Sequence, residues 1–319
     1  MDIGSMEWGV TLWIDLWAAG MAGGAFLTAF LADRFSGGKF KNLFKLAVLT
    51  GIILALIGVA LLLSHLGNIL WFWHMFVTIR PESVLSLGGW ILSGWLMVAG
   101  IMAVLWLVSH YVHNLKPFAD KATGILSWVG FVLSILLMSY TGVLISATTI
   151  PFWSVTPLLP AVFVVSAITS GVAWLIVVSF IVNWLNRTNI RPYHWIIEQF
   201  FGESGWQIDS AVISKLAKSL VIAIVAELIV IAGFAIWISA SGSTIAADGL
   251  ALLISGDLSL WFWVGLIAAG LVAPLILLGI NLKKDYTAGI LAGITFSSAG
   301  LVVLGGLLVR ALLLIAGQA

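Results

Sequence analysis

The sequence predicts an all-α integral membrane protein with eight transmembrane helices, and its composition, apolar runs and charge distribution all support that fold class. The chain is 62% hydrophobic and only 8% charged, whereas a soluble domain carries about 25% charged residues. So much apolar surface requires lipid as its solvent, and the 17 Trp suit the headgroup boundary that indole side chains favour. The net charge of +1 does not indicate nucleic acid as a partner.

Eight mostly apolar runs follow one another along the sequence. Each reaches the length of about 20 residues that a helix needs to cross a bilayer. We expect one polytopic domain, residues 1–319, with two groups of four helices at about 8–146 and 157–316. The predicted helices are approximately Trp8–Ala32, Leu43–Leu66, Gly88–Ser109, Thr123–Ser146, Pro157–Asn186, Leu216–Ala240, Ser259–Asn281 and Thr287–Ala316.

Local irregularities are expected in three of these helices. Pro274 lacks a backbone N–H and is expected to kink the seventh helix. Small residues allow helices to approach closely in a membrane. We therefore expect close contacts at the glycines of the first and eighth helices, namely Gly20, Gly24, Gly300, Gly305 and Gly306.

Basic residues concentrate on the connections that follow odd-numbered helices. Because cytoplasmic connections are enriched in Lys and Arg, we expect these connections to face the cytoplasm and both termini to be extracytoplasmic. The expected location is the cytoplasmic membrane. Twelve of the 14 basic residues have this placement: Arg34, Lys39, Lys41, Lys45, Lys116, Lys121, Arg187, Arg191, Lys215, Lys218, Lys283 and Lys284.

The long connections differ in character. Gly67–Leu87 and Ser241–Leu258 are expected on the outer side, the second with only Asp248 and Asp257 as charged residues. The inner connection Arg187–Lys215 mixes aromatic and charged residues, which is typical of an amphipathic helix lying along the headgroups.

Five ionisable side chains fall within the spans, where a charge costs about 2.5–3.5 kcal/mol on insertion scales. With a rise of about 1.5 Å per residue, Asp15 lies roughly 10 Å below the outer end of its helix. His65, Tyr140 and Arg310 are placed in the same outer half, whereas Glu227 lies near the midplane.

Each of these residues also has a purely structural interpretation. Asp15 could form a buried pair with Arg310, and Arg310 could instead extend its guanidinium to the interface. His65 could be a polar residue at a helix end, and Tyr140 an interface tyrosine. For Glu227, the leading interpretation is part of a proton relay.

An acid, an imidazole and a phenol around an apolar cavity suit a quinone head, whose reduction takes up two electrons and two protons. Ile150–Trp153 would form the lip of that pocket. Other cofactors are disfavoured. The sequence has no Cys to hold an iron–sulfur cluster, and only one of its five His lies in a span, so neither a haem nor a zinc site is expected.

Several stretches, taken in order, resemble the NrfD/polysulfide-reductase membrane-subunit family across almost the whole length. The most specific is Tyr140–Leu144 followed by Ile150–Trp153 and Leu158–Pro160. The others are Gly20–Phe26, His65–Gly67, Arg80–Ser83, Gly88–Trp90, Gly305–Arg310 and Ala316–Gln318.

The resemblance implies a quinone-reactive membrane subunit and assigns roles to residues. The quinone-contacting tyrosine of the family corresponds to Tyr140 by its Tyr-Thr-Gly context. Some relatives have a histidine in the first helix and an acid before Leu-Gly in the second. Here these positions hold Asp15 and His65, so acid and imidazole are exchanged. The expected proton-transfer residues are Asp15, Glu227 and Arg310.

The resemblance also implies partners on the outer face. These are a ferredoxin-like iron–sulfur subunit and a molybdopterin catalytic subunit, or in some relatives a cytochrome, with a menaquinone-type quinone as the membrane cofactor. The outer connection Gly67–Leu87 is expected to dock the iron–sulfur subunit through Trp71, Trp73, His74, Arg80 and Glu82. Two alternatives remain: a secondary transporter, which would use Pro274 and the midplane Glu227, and a structural anchor with the quinone site on another subunit.

Overall fold

The structure is a computed structural model that describes residues 9–64, 83–188, 190–202, 206–280 and 289–318. Within those ranges every regular element is helical, and eight helices are long and apolar enough to cross a membrane. The predicted class and the predicted number of spans are confirmed, whereas the orientation of the termini stays a prediction. The eight helices are α1 Val10–Phe35, α2 Lys41–Ser64, α3 Val84–Tyr111, α4 Lys116–Ser146, α5 Leu159–Leu185, α6 Ser210–Ala240, α7 Trp261–Gly279 and α8 Gly289–Gln318.

The eight helices pack as two groups of four around one continuous apolar core. Helices α1 to α4 contact one another, α5 to α8 do so as well, and α1 and α5 lie side by side where the groups meet. A Cβ atom added to Gly24 would lie 2.0 Å from the Ala167 carbonyl oxygen, and one added to Gly171 would lie 2.3 Å from the Ala25 nitrogen. Only glycine permits this approach, so small residues set the α1–α5 spacing, as expected for packing within a membrane.

The glycines of α8 serve the second group of helices in the same way, with one exception. A Cβ atom on Gly305 would lie 3.1 Å from the Gly270 Cα of α7, and one on Gly306 would lie 2.0 Å from the Ser170 Oγ of α5. Gly300 has open space where its Cβ would be, so the expectation of a close contact at Gly300 is wrong. It lies on a face of α8 that no neighbouring atom of the described residues approaches.

Helix α7 changes its hydrogen-bonding pattern along its length. Trp261–Val272 forms a π-helix and Ala273–Gly279 an α-helix. Pro274 is buried at the start of the α-helical part. Proline has no N–H to donate, and the change in helix type occurs beside it; the kink expected at Pro274 stays a prediction.

The amphipathic helix predicted within the inner connection is present as Arg191–Phe201. Its Ile197 is buried while Trp195 is exposed, and the helix packs against α3. The Tyr193 hydroxyl donates to the Val182 carbonyl at 3.1 Å, and burial raises the pKa of Tyr193 to about 12. Contact of this helix with lipid headgroups stays a prediction.

Two further short helices, Pro151–Ser154 and Thr244–Ile254, are absent from the sequence prediction. Phe152 and Trp153 are buried, and the Trp153 Nε1 donates to the Leu313 carbonyl at 2.8 Å. A Cβ atom on Gly249 would lie 2.7 Å from the Phe152 ring. Both aromatic rings therefore pack into the α5–α8 group, and the expectation that Ile150–Trp153 is the lip of a pocket at Tyr140 is wrong.

Candidate functional site

A cavity of about 40 Å³ lies within the α1–α4 group, and all four helices line it. Asp15 of α1 and Tyr140 of α4 both contribute to its wall, and they are close enough to interact electrostatically. The other described residues of the wall are apolar or small, apart from one with a hydroxyl. It consists of Leu12, Leu16, Ala19, Leu62, Gly88, Gly89, Leu92, Leu137, Thr141 and Leu144.

Among the described residues, one carboxylate oxygen of Asp15 at this cavity has no polar partner. Its side chain is 7% exposed, and no donor among the described residues reaches Oδ1. A Cβ atom on Gly58 of α2 would lie 2.7 Å from that oxygen, so α2 passes close to the carboxyl only because this position is glycine. An unsatisfied acid inside a membrane protein is costly, and such residues are usually functional.

The position of Tyr140 depends on a glycine in the neighbouring helix. A Cβ atom on Gly88 of α3 would lie 1.7 Å from Cζ and 2.1 Å from Oη of Tyr140. The phenol therefore lies directly on the backbone of α3, in space that any other residue would fill. Gly88 and Gly58 thus perform the same task, because each leaves space for a polar side chain from an adjacent helix.

Several predicted site residues lie outside the described residues. His65 is one of them, and its expected place beside the quinone stays a prediction. The same holds for Trp71, Trp73, His74, Arg80 and Glu82 in the outer connection. Helix α2 does reach the cavity through Leu62.

Arg310 is fully buried where α8 meets α1 and α5. Its Nη1 donates to the Ser166 Oγ at 2.6 Å and to the Gly306 carbonyl at 2.8 Å, and its Nη2 donates to the Phe163 carbonyl at 3.4 Å. Its exposed fraction is 0%, so the interpretation that it extends to the interface is wrong. The pairing with Asp15 is also wrong, because the described residues show no ion pair between the two.

Glu227 belongs with Arg310 and not with the Asp15 cavity. Its side chain is 2% exposed, it lies beside the hydroxyls of Ser166 and Thr169, and it interacts electrostatically with Arg310. No direct ion pair joins the two in the described parts of the protein, and Oε1 has no hydrogen-bond partner there. Ser166 therefore lies between cation and acid, since its oxygen accepts from Arg310 and its hydroxyl lies beside Glu227.

The sequence interpretation missed the residues that surround Asp15 and Tyr140 in the cavity and those that surround Arg310 and Glu227. Ser166, Thr169 and Ser170 recur at helical spacing in an otherwise apolar span, so their common face was a readable signal. The roles of Gly58 and Gly88 had no such signal, because each depends on a side chain from another helix. Within the described ranges, no group of three or more His, Cys, Asp or Glu side chains could hold a metal ion.

The architecture defines a multi-pass helical membrane protein that keeps titratable groups in two separate places inside its bundle. The family described as "Polysulphide reductase, NrfD" matches residues 2–319, and the protein belongs to that family. It is 26% identical to "Protein NrfD" of Escherichia coli, an alignment that covers 98% of this sequence and 96% of that protein.

Two other relatives are named as parts of reductases. One is a component of the polysulfide reductase of Wolinella succinogenes, 25% identical, with 98% of this sequence and 95% of the relative covered. The other is a component of the selenate reductase of Mesobacillus selenatarsenatis, 24% identical, with 97% of this sequence and 73% of the relative covered. The family resemblance found in the sequence is therefore confirmed.

Proposed function

We propose that the protein is the quinone-reactive membrane subunit of a respiratory oxidoreductase in the cytoplasmic membrane. It passes electrons between a quinone pool, of the menaquinone type, and extracytoplasmic partners that carry iron–sulfur clusters and molybdopterin. The observation that carries the proposal is the meeting of Asp15 and Tyr140 in one cavity among four spanning helices. Family membership and the reductase names of the relatives support it.

The residues of the cavity fit a quinone in their chemistry. A bound quinone supplies two-electron, two-proton redox chemistry. The Tyr140 hydroxyl is suited to donate to a carbonyl oxygen, and Asp15 has a buried oxygen free to exchange a proton. The leucines of the wall suit a ring and an isoprenoid tail.

The size of the cavity sets a condition on binding. About 40 Å³ is enough for a few water molecules, which is less than a quinone ring occupies. The walls must therefore separate when the ring enters. The close contacts at Gly58 and Gly88 identify α2 and α3 as the helices whose positions matter most.

Quinol turnover in the assembled complex tests the proposal. Loss of a positioned proton-transfer group lowers rates by about 10²-fold or more, and we expect that decrease in kcat for Asp15→Asn. Tyr140→Phe keeps the ring and should weaken quinone binding, seen as a higher KM. Tyr111→Phe is the matched control, because Tyr111 is 62% exposed at the end of α3. Near-normal turnover in both site variants would reject the proposed roles.

The partners are tested by purification of the complex. Iron–sulfur absorbance and bound quinone that accompany the protein would support the reductase assignment and its docking through Gly67–Leu87. A protein that purifies alone and carries solute across vesicles would instead support a secondary transporter. Quinone that remains with the partners after this protein is removed would identify it as a structural anchor.

We propose a second role, proton transfer, for the cluster of Glu227, Ser166 and Arg310. The buried acid has an unpartnered oxygen and hydroxyl neighbours, as a relay requires. With Asp15 at the other site, this cluster would couple turnover to charge movement. In proteoliposomes, Glu227→Gln should retain quinol oxidation while the membrane potential decreases. An unchanged potential would leave the cluster with a structural role only.

A further inference from the structure

A second pocket, which shares no lining residue with the Asp15 cavity, lies at the basic end of the bundle, where connections follow odd-numbered helices. Its volume is about 210 Å³, and it is formed by the start of α2, the end of α3, the start of α4 and the end of the amphipathic helix. Its charged and titratable lining groups are Lys45, His110, His113 and Lys116. No acidic side chain is among the described residues that line it.

The two acidic residues described near this pocket, Asp120 and Glu198, lie outside its lining. Lys45 interacts electrostatically with both Lys41 and Lys116, so cations surround one another here. The acid in this electrostatic group, Asp120, is 2.8 Å from the Lys41 Nζ and is paired with it. Glu198 of the amphipathic helix is exposed and does not line the pocket. The described lining of the pocket therefore holds no acidic group opposite its basic side chains.

The pocket also has hydrogen-bond donors without acceptors. The Lys45 Nζ donates to the Phe200 carbonyl at 2.8 Å. An ammonium has three N–H groups, so this one has further N–H groups that can donate to a ligand. Trp106 is 6% exposed and lines the pocket. No acceptor in the described parts of the protein reaches its Nε1. A buried indole N–H normally has a partner, so this donor is suited to an acceptor from outside the described residues.

The surface around the pocket identifies the kind of anion. Between and beside the basic residues, the α3–α4 turn exposes large apolar side chains: Tyr111 62%, Val112 44%, Leu115 42% and Phe118 64%. A free inorganic anion gains nothing from such a surface. An amphiphile places its charged group in the pocket and its acyl chains along the apolar rim.

We propose that this pocket binds the phosphate group of an anionic phospholipid at the basic end of the bundle. Basic pockets between transmembrane helices are suited to anionic headgroups. Lys45 joins the lipid to the amphipathic helix, because the same ammonium holds the Phe200 carbonyl. The site is independent of the quinone cavity, and its test does not involve turnover.

Native mass spectrometry of the purified full-length protein, titrated with phosphatidylglycerol or phosphatidylcholine, tests the proposal. We expect the wild-type protein to retain phosphatidylglycerol in preference to the neutral lipid. Hydrogen bonds to charged groups are worth enough that Lys116→Gln should weaken retention about tenfold. His113→Leu should weaken it less, because it removes one hydrogen-bonding side chain and leaves both lysines of the pocket in place.

The control variant is Lys121→Gln, which removes the same charge from an exposed position on α4 outside the pocket. Its effect should be well below that of Lys116→Gln. Equal effects of the two would show that general surface attraction explains the binding, and would overturn the proposal. Binding of inorganic phosphate that depends on Lys116, without any preference for the anionic lipid, would also overturn it. Lys45→Gln tests the link to the amphipathic helix and should increase proteolysis of residues 191–202.

Discussion

Gly88→Ala is the sharpest perturbation of the cavity that the protein offers, because it adds one methyl group to α3 and removes nothing. The added Cβ would lie 1.7 Å from the Tyr140 Cζ. Ordinary contact begins at 3.4 Å, so the phenol must move by about 2 Å. A displacement of about 1 Å at a reacting group can lower a rate 10²-fold, and we expect at least that decrease in quinol turnover.

The matched control is Gly100→Ala on the same helix, where no atom lies within 4 Å of the added Cβ. Both changes raise helix propensity by about 1 kcal/mol, so both variants should assemble. Steady-state turnover with a soluble quinol analogue is measured after each complex is shown to contain its partners and to melt normally. Gly100→Ala should retain wild-type turnover.

A double variant separates a steric effect on Tyr140 from a general effect on α3. In a Tyr140→Ala background the phenol is gone, so Gly88→Ala should produce little further loss. Coupled positions show such non-additivity. Wild-type turnover in an intact Gly88→Ala complex, or fully additive losses in the double variant, would refute the conclusion that Gly88 positions Tyr140.

Three further changes test other parts of the structure. Gly58→Ala adds a Cβ 2.7 Å from the Asp15 Oδ1, which should displace the carboxyl and lower kcat. A normal kcat would show that α2 moves instead of the carboxyl. Ser166→Ala removes a 2.6 Å hydrogen bond of the buried Arg310; we expect a loss of about 1–3 kcal/mol, measured as a lower melting temperature of the complex. Tyr193→Phe removes the phenol of Tyr193, and burial raises the pKa of that phenol to about 12. Because the folded-state pKa exceeds the ordinary value of about 10, this group stabilises the fold below pH 10 and that contribution decreases as the pH rises towards 12. The near-ultraviolet phenolate signal that the variant lacks should appear in that window.

Intramembrane chemistry was readable in the sequence where a residue type is rare. Asp15, Tyr140, Glu227 and Arg310 were found because ionisable and phenolic groups are scarce in these spans. Depth along each helix correctly placed Asp15 and Tyr140 together. Depth alone did not predict the partners of Arg310, because they depend on the direction of its side chain, which points towards Ser166 and Gly306.

The structure of the connections between the helices was likewise predicted only in part. The helix Arg191–Phe201 was predicted because the connection mixes aromatic and charged residues, as an interfacial helix does. Thr244–Ile254 was missed because its small residues and single acid looked like a loop, although Ser243 accepts from the Ala246 N–H as an N-cap. Phe152 and Trp153 were assigned to the wrong group of helices, because the direction in which the backbone turns after α4 depends on contacts with α8.

Eight membrane spans, the NrfD family and the rare polar residues inside the bilayer could all be found without coordinates. These properties are local, since each follows from the water-to-lipid transfer free energy of one segment or one side chain, or from short motifs read in order. Which of those polar residues meet depends on how the helices pack. The Asp15–Tyr140 cavity exists because α2 and α3 carry Gly58 and Gly88 where those side chains arrive. These two glycines matter only because a side chain from another helix occupies the space that their own side chains would fill, and that contact is decided by the tertiary structure.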